Sequence, residues 1–135
     1  MVARTFPRSF GALEAIYAFI REFVAGCGID PEIAYDLDVI AEELFTNMVK
    51  YGRGGRREIE IALEWNVPIL AIRLRDFDVE RFDPMQTPPV DPSRPIAERR
   101  AGGLGIHLVR QIADRIHYDY QGRDSTITVT KVVSS

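Results

Sequence analysis

Apolar residues recur at helical spacing from Leu13 to Val49 and then at every second position from Ile59 to Leu74, and no single regular structure accommodates both periods. The first half of the chain is therefore expected to be helical and the next segment extended. Leu13, Ile16, Tyr17, Ile20, Phe23 and Val24 form one amphipathic helix that ends at the breaker Gly26-Cys27-Gly28, after a short strand or arm over Arg4 to Phe10. Asp30 as a cap and Pro31 at the first helical position introduce a second helix through Ile33, Leu37, Ile40, Ala41, Leu44, Phe45, Met48 and Val49, which stops at Tyr51-Gly52. Ile59, Ile61 and Leu63 alternate with polar positions, as do Leu70, Ile72 and Leu74, so these runs read as an antiparallel hairpin turning at Asn66-Val67-Pro68.

Between Asp76 and Arg100 prolines stand at 84, 88, 89, 92 and 95, and few apolar residues are available for packing. A segment of this kind inside a compact domain reads as a functional loop, here a mobile lid over about 77–101. A third helix is expected from Ile106 to about Arg115. Two last strands follow around Ile116 to Tyr120 and Thr126 to Val132, joined by Gln121-Gly122-Arg123-Asp124. That order implies an α/β (α+β) two-layer sandwich with a mixed, largely antiparallel sheet and helices on one face. With 135 residues, 46% of them hydrophobic, a single domain spanning 1–135 is expected to bury a core without metals or disulfides.

Charge and targeting signals narrow the partners. The formal net charge is −3, which offers no general attraction to a phosphodiester backbone, so direct nucleic-acid binding is not expected. The start, Met1-Val2-Ala3-Arg4, leads into Thr5-Phe6-Pro7-Arg8 rather than an apolar run, and no uncharged stretch of membrane-spanning length follows. A cytoplasmic protein with no membrane association is expected, and the lone Cys27 suits a reducing compartment.

Three features carry chemistry. Glu43 and Asn47, four residues apart on the second helix, share one face, with Glu42 and Thr46 beside them. The mostly apolar helix would partly desolvate Glu43 and raise its basicity, and the amide oxygen of Asn47 is a suitable hard ligand for Mg²⁺ beside phosphates. By itself an E-x-x-x-N pair is far more often solvated or capping. Gly102-Gly103-Leu104-Gly105 lies directly before the third helix, where unpaired backbone N–H groups hold anions, and Arg99 and Arg100 precede it. It matches neither the P-loop nor the G-x-G-x-x-G spacing, and alone it reads equally as a hinge. Asp76 follows an apolar strand, a position from which a carboxylate accepts a hydrogen bond from an exocyclic amine, although a strand-end turn residue is the commoner role. His107 and His117, ten residues apart, have no neighbours at metal-ligand spacing, and no nucleophile frame accompanies them.

Taken in order, Ala41-Glu42-Glu43-Leu44-Phe45-Thr46-Asn47, Arg75-Asp76, Phe82-Asp83-Pro84 and Gly102-Gly103-Leu104-Gly105-Ile106-His107-Leu108-Val109 resemble the GHKL ATPase superfamily over roughly residues 5 to 132. Within it, the short chain is similar to the anti-sigma-factor serine/threonine kinases of bacterial partner-switching systems. The resemblance implies a Bergerat-type ATP-binding fold and the cofactors ATP and Mg²⁺. Glu43 would be the general base that activates a serine on a STAS-type antagonist, Asn47 the Mg²⁺ ligand and Asp76 the adenine-binding aspartate. Gly103, Leu104 and Gly105, with Arg100, would surround the phosphates. Implied partners are a sigma factor or a STAS-domain anti-anti-sigma protein, and the family resemblance also implies a homodimer.

One departure is plain. Where the family usually has glycine after that aspartate, this chain has Asp78 and Glu80, and the spacing to Phe82-Asp83-Pro84 is one residue longer. Two functions therefore stay open: an ATP-dependent serine kinase that sequesters a partner, and a non-catalytic binding module of the same fold with weakened or lost nucleotide binding. An ATP-binding domain cut from a sensor histidine kinase ranks behind both, because the chain holds no phosphoacceptor helix and is expected to begin and end at natural domain edges.

Overall fold

The structure, a computed structural model, describes residues 1–86 and 105–133. Five strands form one sheet in the order β1-β2-β3-β5-β4: β1 Val2–Phe6, β2 Ile59–Asn66, β3 Ile69–Asp76, β4 Arg115–Gln121 and β5 Asp124–Val132. Every pairing is antiparallel, so the largely antiparallel sheet expected from the sequence has no parallel pair among the described residues. Helices α1 (Leu13–Cys27) and α2 (Ile33–Tyr51) cover one face, and a third helix, α3, occupies residues 105–112.

Alternation places the core. In β2 and β3, Ile59, Ile61, Leu63, Leu70, Ile72 and Leu74 are all buried, and they meet Ile16, Phe19 and Ile20 of α1 and Leu37, Ile40, Leu44 and Phe45 of α2 in one cluster. Each such side chain taken fully from water contributes about 1.5–3 kcal/mol, which makes this layer the main support of the fold. No helix among the described residues is long and apolar enough to cross a membrane.

Element boundaries differ from expectation where local hydrogen bonds intervene. The expected strand or arm over Arg4 to Phe10 divides: β1 ends at Phe6, a turn closes from Ser9 N–H to the Pro7 carbonyl at 2.8 Å, and a 3₁₀ turn covers Phe10–Ala12. Asp30 and Pro31 stand outside α2, since the Asp30 carboxylate accepts from Glu32 N–H at 3.0 Å and the Ile33 N–H donates to the Asp30 carbonyl at 3.0 Å. The third helix stops at residue 112 rather than near Arg115, because Asp114 N–H donates to the Thr130 carbonyl at 2.9 Å and Arg115 already pairs in β4. Gly28 ends α1 with a left-handed backbone, φ 68°, where glycine carries no Cβ penalty.

Candidate functional site

The second helix and the sheet together build the candidate site. Glu43 and Asn47 lie one turn apart on α2, and Asn47 is only 2% exposed. Its Nδ2 donates to Glu43 Oε1 at 3.2 Å and to the Pro84 carbonyl at 2.9 Å, which joins the helix to the segment after β3. Both bonds use the amide nitrogen. The amide oxygen takes part in neither, and it is a hard oxygen of the kind Mg²⁺ accepts. No group of three or more histidine, cysteine, aspartate or glutamate residues that could hold a metal occurs among the described residues.

Glu43 is half-buried, and burial pushes its carboxyl above the ordinary range while the Asn47 hydrogen bond and the Lys50 charge pull it back. Gly105, the first described residue of α3, packs directly on this carboxylate: a Cβ at that position would overlap Glu43 Oε2 and Cδ. The helix that follows the glycine turn thus meets the Glu43 side chain at its N-terminal end. Gly103, Leu104 and Arg100, the other expected phosphate-binding residues, lie outside the described residues, as does Gly102.

Asp76 ends β3, is 2% exposed and sits near the other end of α2, beside Gly52. Its carboxyl is raised to about 6 by burial, against the opposing charge and hydrogen bond of Arg8 and a bond from the Phe77 backbone N–H. Arg8 was not among the residues singled out in the sequence, yet its Nη2 forms an ion pair with Asp76 Oδ1 and its Nη1 donates to the Met48 carbonyl at 3.0 Å. No spacing rule connects positions 8 and 76, so only the fold reveals this pair.

Beyond Asn47, α2 runs into a cavity of about 410 Å³ lined by Lys50, Tyr51, Gly52, Arg53, Glu80, Arg81 and Phe82. The Tyr51 and Phe82 rings lie 5.9 Å apart. Lys50, Arg53 and Arg81 outnumber the single carboxylate of Glu80, so the wall of this hollow is net cationic.

The first ten residues of the expected lid are fastened to the sheet. Val79 is buried; its N–H donates to the Arg123 carbonyl at 2.9 Å and its carbonyl accepts from Tyr120 Oη at 2.7 Å. Phe82 N–H donates to Tyr118 Oη at 3.2 Å, and Ser125 Oγ donates to the Phe82 carbonyl at 3.1 Å. Residues 87–104 lie outside the described residues. Asp78, which stands where glycine is usual, keeps a glycine-like left-handed backbone, φ 53°, and accepts from Arg123 Nε at 2.8 Å. The Asp78 side chain is thus paired with Arg123 at the surface.

Comparison with known proteins places the fold. A family model described as the histidine kinase-like ATPase domain matches residues 6–131. The chain is 27% identical over 100 residues to a serine-protein kinase RsbW of Oceanobacillus iheyensis, covering 70% of this chain and 63% of the relative, so it spans less than two thirds of that relative's length. Among solved structures, the histidine kinase AdeS of Acinetobacter baumannii shares the fold, with a TM-score of 0.53 and 15% identity over 100% of this chain and 69% of the other.

Proposed function

Because the chain belongs to the histidine kinase-like ATPase domain family, we propose that it is an anti-sigma regulatory protein that binds Mg-ATP and phosphorylates a serine of a STAS-type antagonist. The observation that carries this reading is the meeting of Glu43, Asn47 and Gly105, which brings a raised carboxylate, a hard amide oxygen and a helix N-terminus to one place.

The assignments follow the direction of α2. Asp76, beside Gly52, takes the adenine amine; the cationic wall of Lys50, Arg53 and Arg81 draws in the anionic nucleotide; Asn47 supplies the protein oxygen for Mg²⁺. When bound, Mg²⁺ supplies charge neutralisation on the phosphates. Glu43 accepts the serine hydroxyl proton as the serine oxygen bonds to the γ-phosphorus and the bond to the bridging oxygen breaks, leaving ADP. Its desolvation supports this role, since a carboxylate with a raised pKa is a better base. Gly103, Leu104 and Arg100 complete the phosphate site in this reading. The similarity to a serine-protein kinase RsbW supports the choice of serine.

A second reading is favoured by the Arg8–Asp76 ion pair and by Asp78 and Glu80: a binding module of the same fold with weakened nucleotide affinity. The deciding experiment incubates the purified chain with Mg-ATP labelled on the γ-phosphate and STAS proteins encoded beside it. Transfer that is lost in Glu43→Gln supports the kinase. No transfer to any of them, with no saturable ATP binding by calorimetry, leaves the binding module.

A further inference from the structure

The Arg8 guanidinium is held on the buried carboxylate of Asp76. It is only 14% exposed, its ion-pair partner Asp76 is 2% exposed, and its second terminal nitrogen donates to the Met48 carbonyl. Two glycines make room for it. A Cβ on Gly55 would overlap Arg8 Nη2 and Cζ, and one on Gly52 would come to 3.3 Å from Nη1 and 3.2 Å from Asp76 Oδ2. The arginine is thus enclosed by the end of α2, by the Gly52–Gly55 loop and by the end of β3.

The enclosure is incomplete chemically. Arg8 Nε is buried with no hydrogen-bond partner, which costs about 1–3 kcal/mol for a buried donor. The arginine also lies between two regular elements. Residues 7–9 follow the last β1 pairing, Phe6 with Ile59, and precede the 3₁₀ turn at Phe10, so Arg8 can leave without unzipping a strand.

We propose that Arg8 is a tethered competitor for the nucleotide, occupying the Asp76 carboxylate in the unliganded chain and yielding it when a base enters. This rests on the reading of Asp76 as the base-contacting residue. The arm lowers apparent nucleotide affinity by the fraction of molecules in which Asp76 is taken, and anything that draws the arm away raises it. Arg8 competes in the same way with any purine that offers an exocyclic amine to Asp76.

The test is calorimetric titration of the full chain with ADP and with ATP in Mg²⁺, comparing wild type, Arg8→Ala and Gly55→Ala. Arg8→Ala removes the competitor but leaves Asp76 unpaired; Gly55→Ala expels the arginine by steric overlap and keeps both charges, so it decides the question alone if Arg8→Ala does not fold. About tenfold tighter binding in either folded variant, including binding that appears only in the variant, is the expected result, and corresponds to a site occupied by the arm roughly nine times in ten. If wild type binds and the folded variants bind equally or more weakly, the competitor role is overturned while the nucleotide site stands. If none of the folded proteins binds, the nucleotide reading of the site falls and the competitor role falls with it.

Discussion

Asn47 stands between Glu43 and the Pro84 carbonyl, donating to Oε1 of the first at 3.2 Å and to the second at 2.9 Å. One amide therefore orients the candidate base and ties α2 to the chain after β3. Asn47→Ala removes both bonds in a residue that is 2% exposed, and the Pro84 carbonyl loses a buried partner. The expected cost is about 1–3 kcal/mol in denaturant titration. Phosphotransfer should fall further than stability, because the Glu43 orientation is lost with it. A variant with wild-type transfer would remove Asn47 from the site.

Gly105→Ala separates the site from the fold. The new Cβ would overlap the Glu43 carboxylate, so the side chain must turn away from the helix end. Alanine is favoured over glycine in a helix by about 1 kcal/mol, and α3 should not suffer. The expected outcome is a thermal midpoint equal to or above wild type together with at least a tenfold loss of label transfer in the assay proposed above.

Much of the architecture was legible because it depends on periodicity. The alternation of Ile59, Ile61 and Leu63 and the helical spacing of Leu37, Ile40 and Leu44 follow from which face is buried, and the hairpin turn falls between Asn66 and Ile69 as its residues suggested. Glu43 and Asn47 were legible for the same reason, since four residues make one helical turn. The Arg8 contact was not, because a guanidinium from before α1 reaches β3 only once the sheet has brought β1, β2 and β3 side by side. Nor does a glycine announce its neighbour: Gly52 reads as a helix stop, and its closeness to Asp76 depends on tertiary packing.

Stability should fall as pH rises through the Asp76 titration. Its carboxyl is raised from 3.8 to about 6 in the fold, so the folded chain binds that proton more tightly than the unfolded one. The contribution is fully present below the unfolded value and is lost as pH climbs through 6. At about 1.4 kcal/mol per unit, the difference in stability between wild type and Asp76→Asn should shift by roughly 3 kcal/mol against wild type between pH 3.5 and pH 7. Urea denaturation of both proteins at several pH values measures it. A shift of opposite sign would mean that Arg8 holds the carboxyl below its ordinary range.

Two glycine-to-alanine changes at the helices should move stability in opposite directions. Gly26 lies inside α1 with nothing within 4 Å of where its Cβ would be, so alanine there adds helix propensity without a clash and should stabilise by about 1 kcal/mol. At Gly52 a Cβ would stand 2.6 Å from the Met48 carbonyl oxygen, the same oxygen that accepts from Gly52 N–H at 2.9 Å and from Arg8 Nη1 at 3.0 Å. Something must move, and either the last turn of α2 opens or the Arg8–Asp76 pair is displaced. The expected cost is about 1–3 kcal/mol, as for an overpacked interior. Denaturant midpoints give both values. If Gly52→Ala were as harmless as Gly26→Ala, the close packing of α2 against Asp76 would be wrong, and with it the idea that one helix carries the base at one end and the general base at the other.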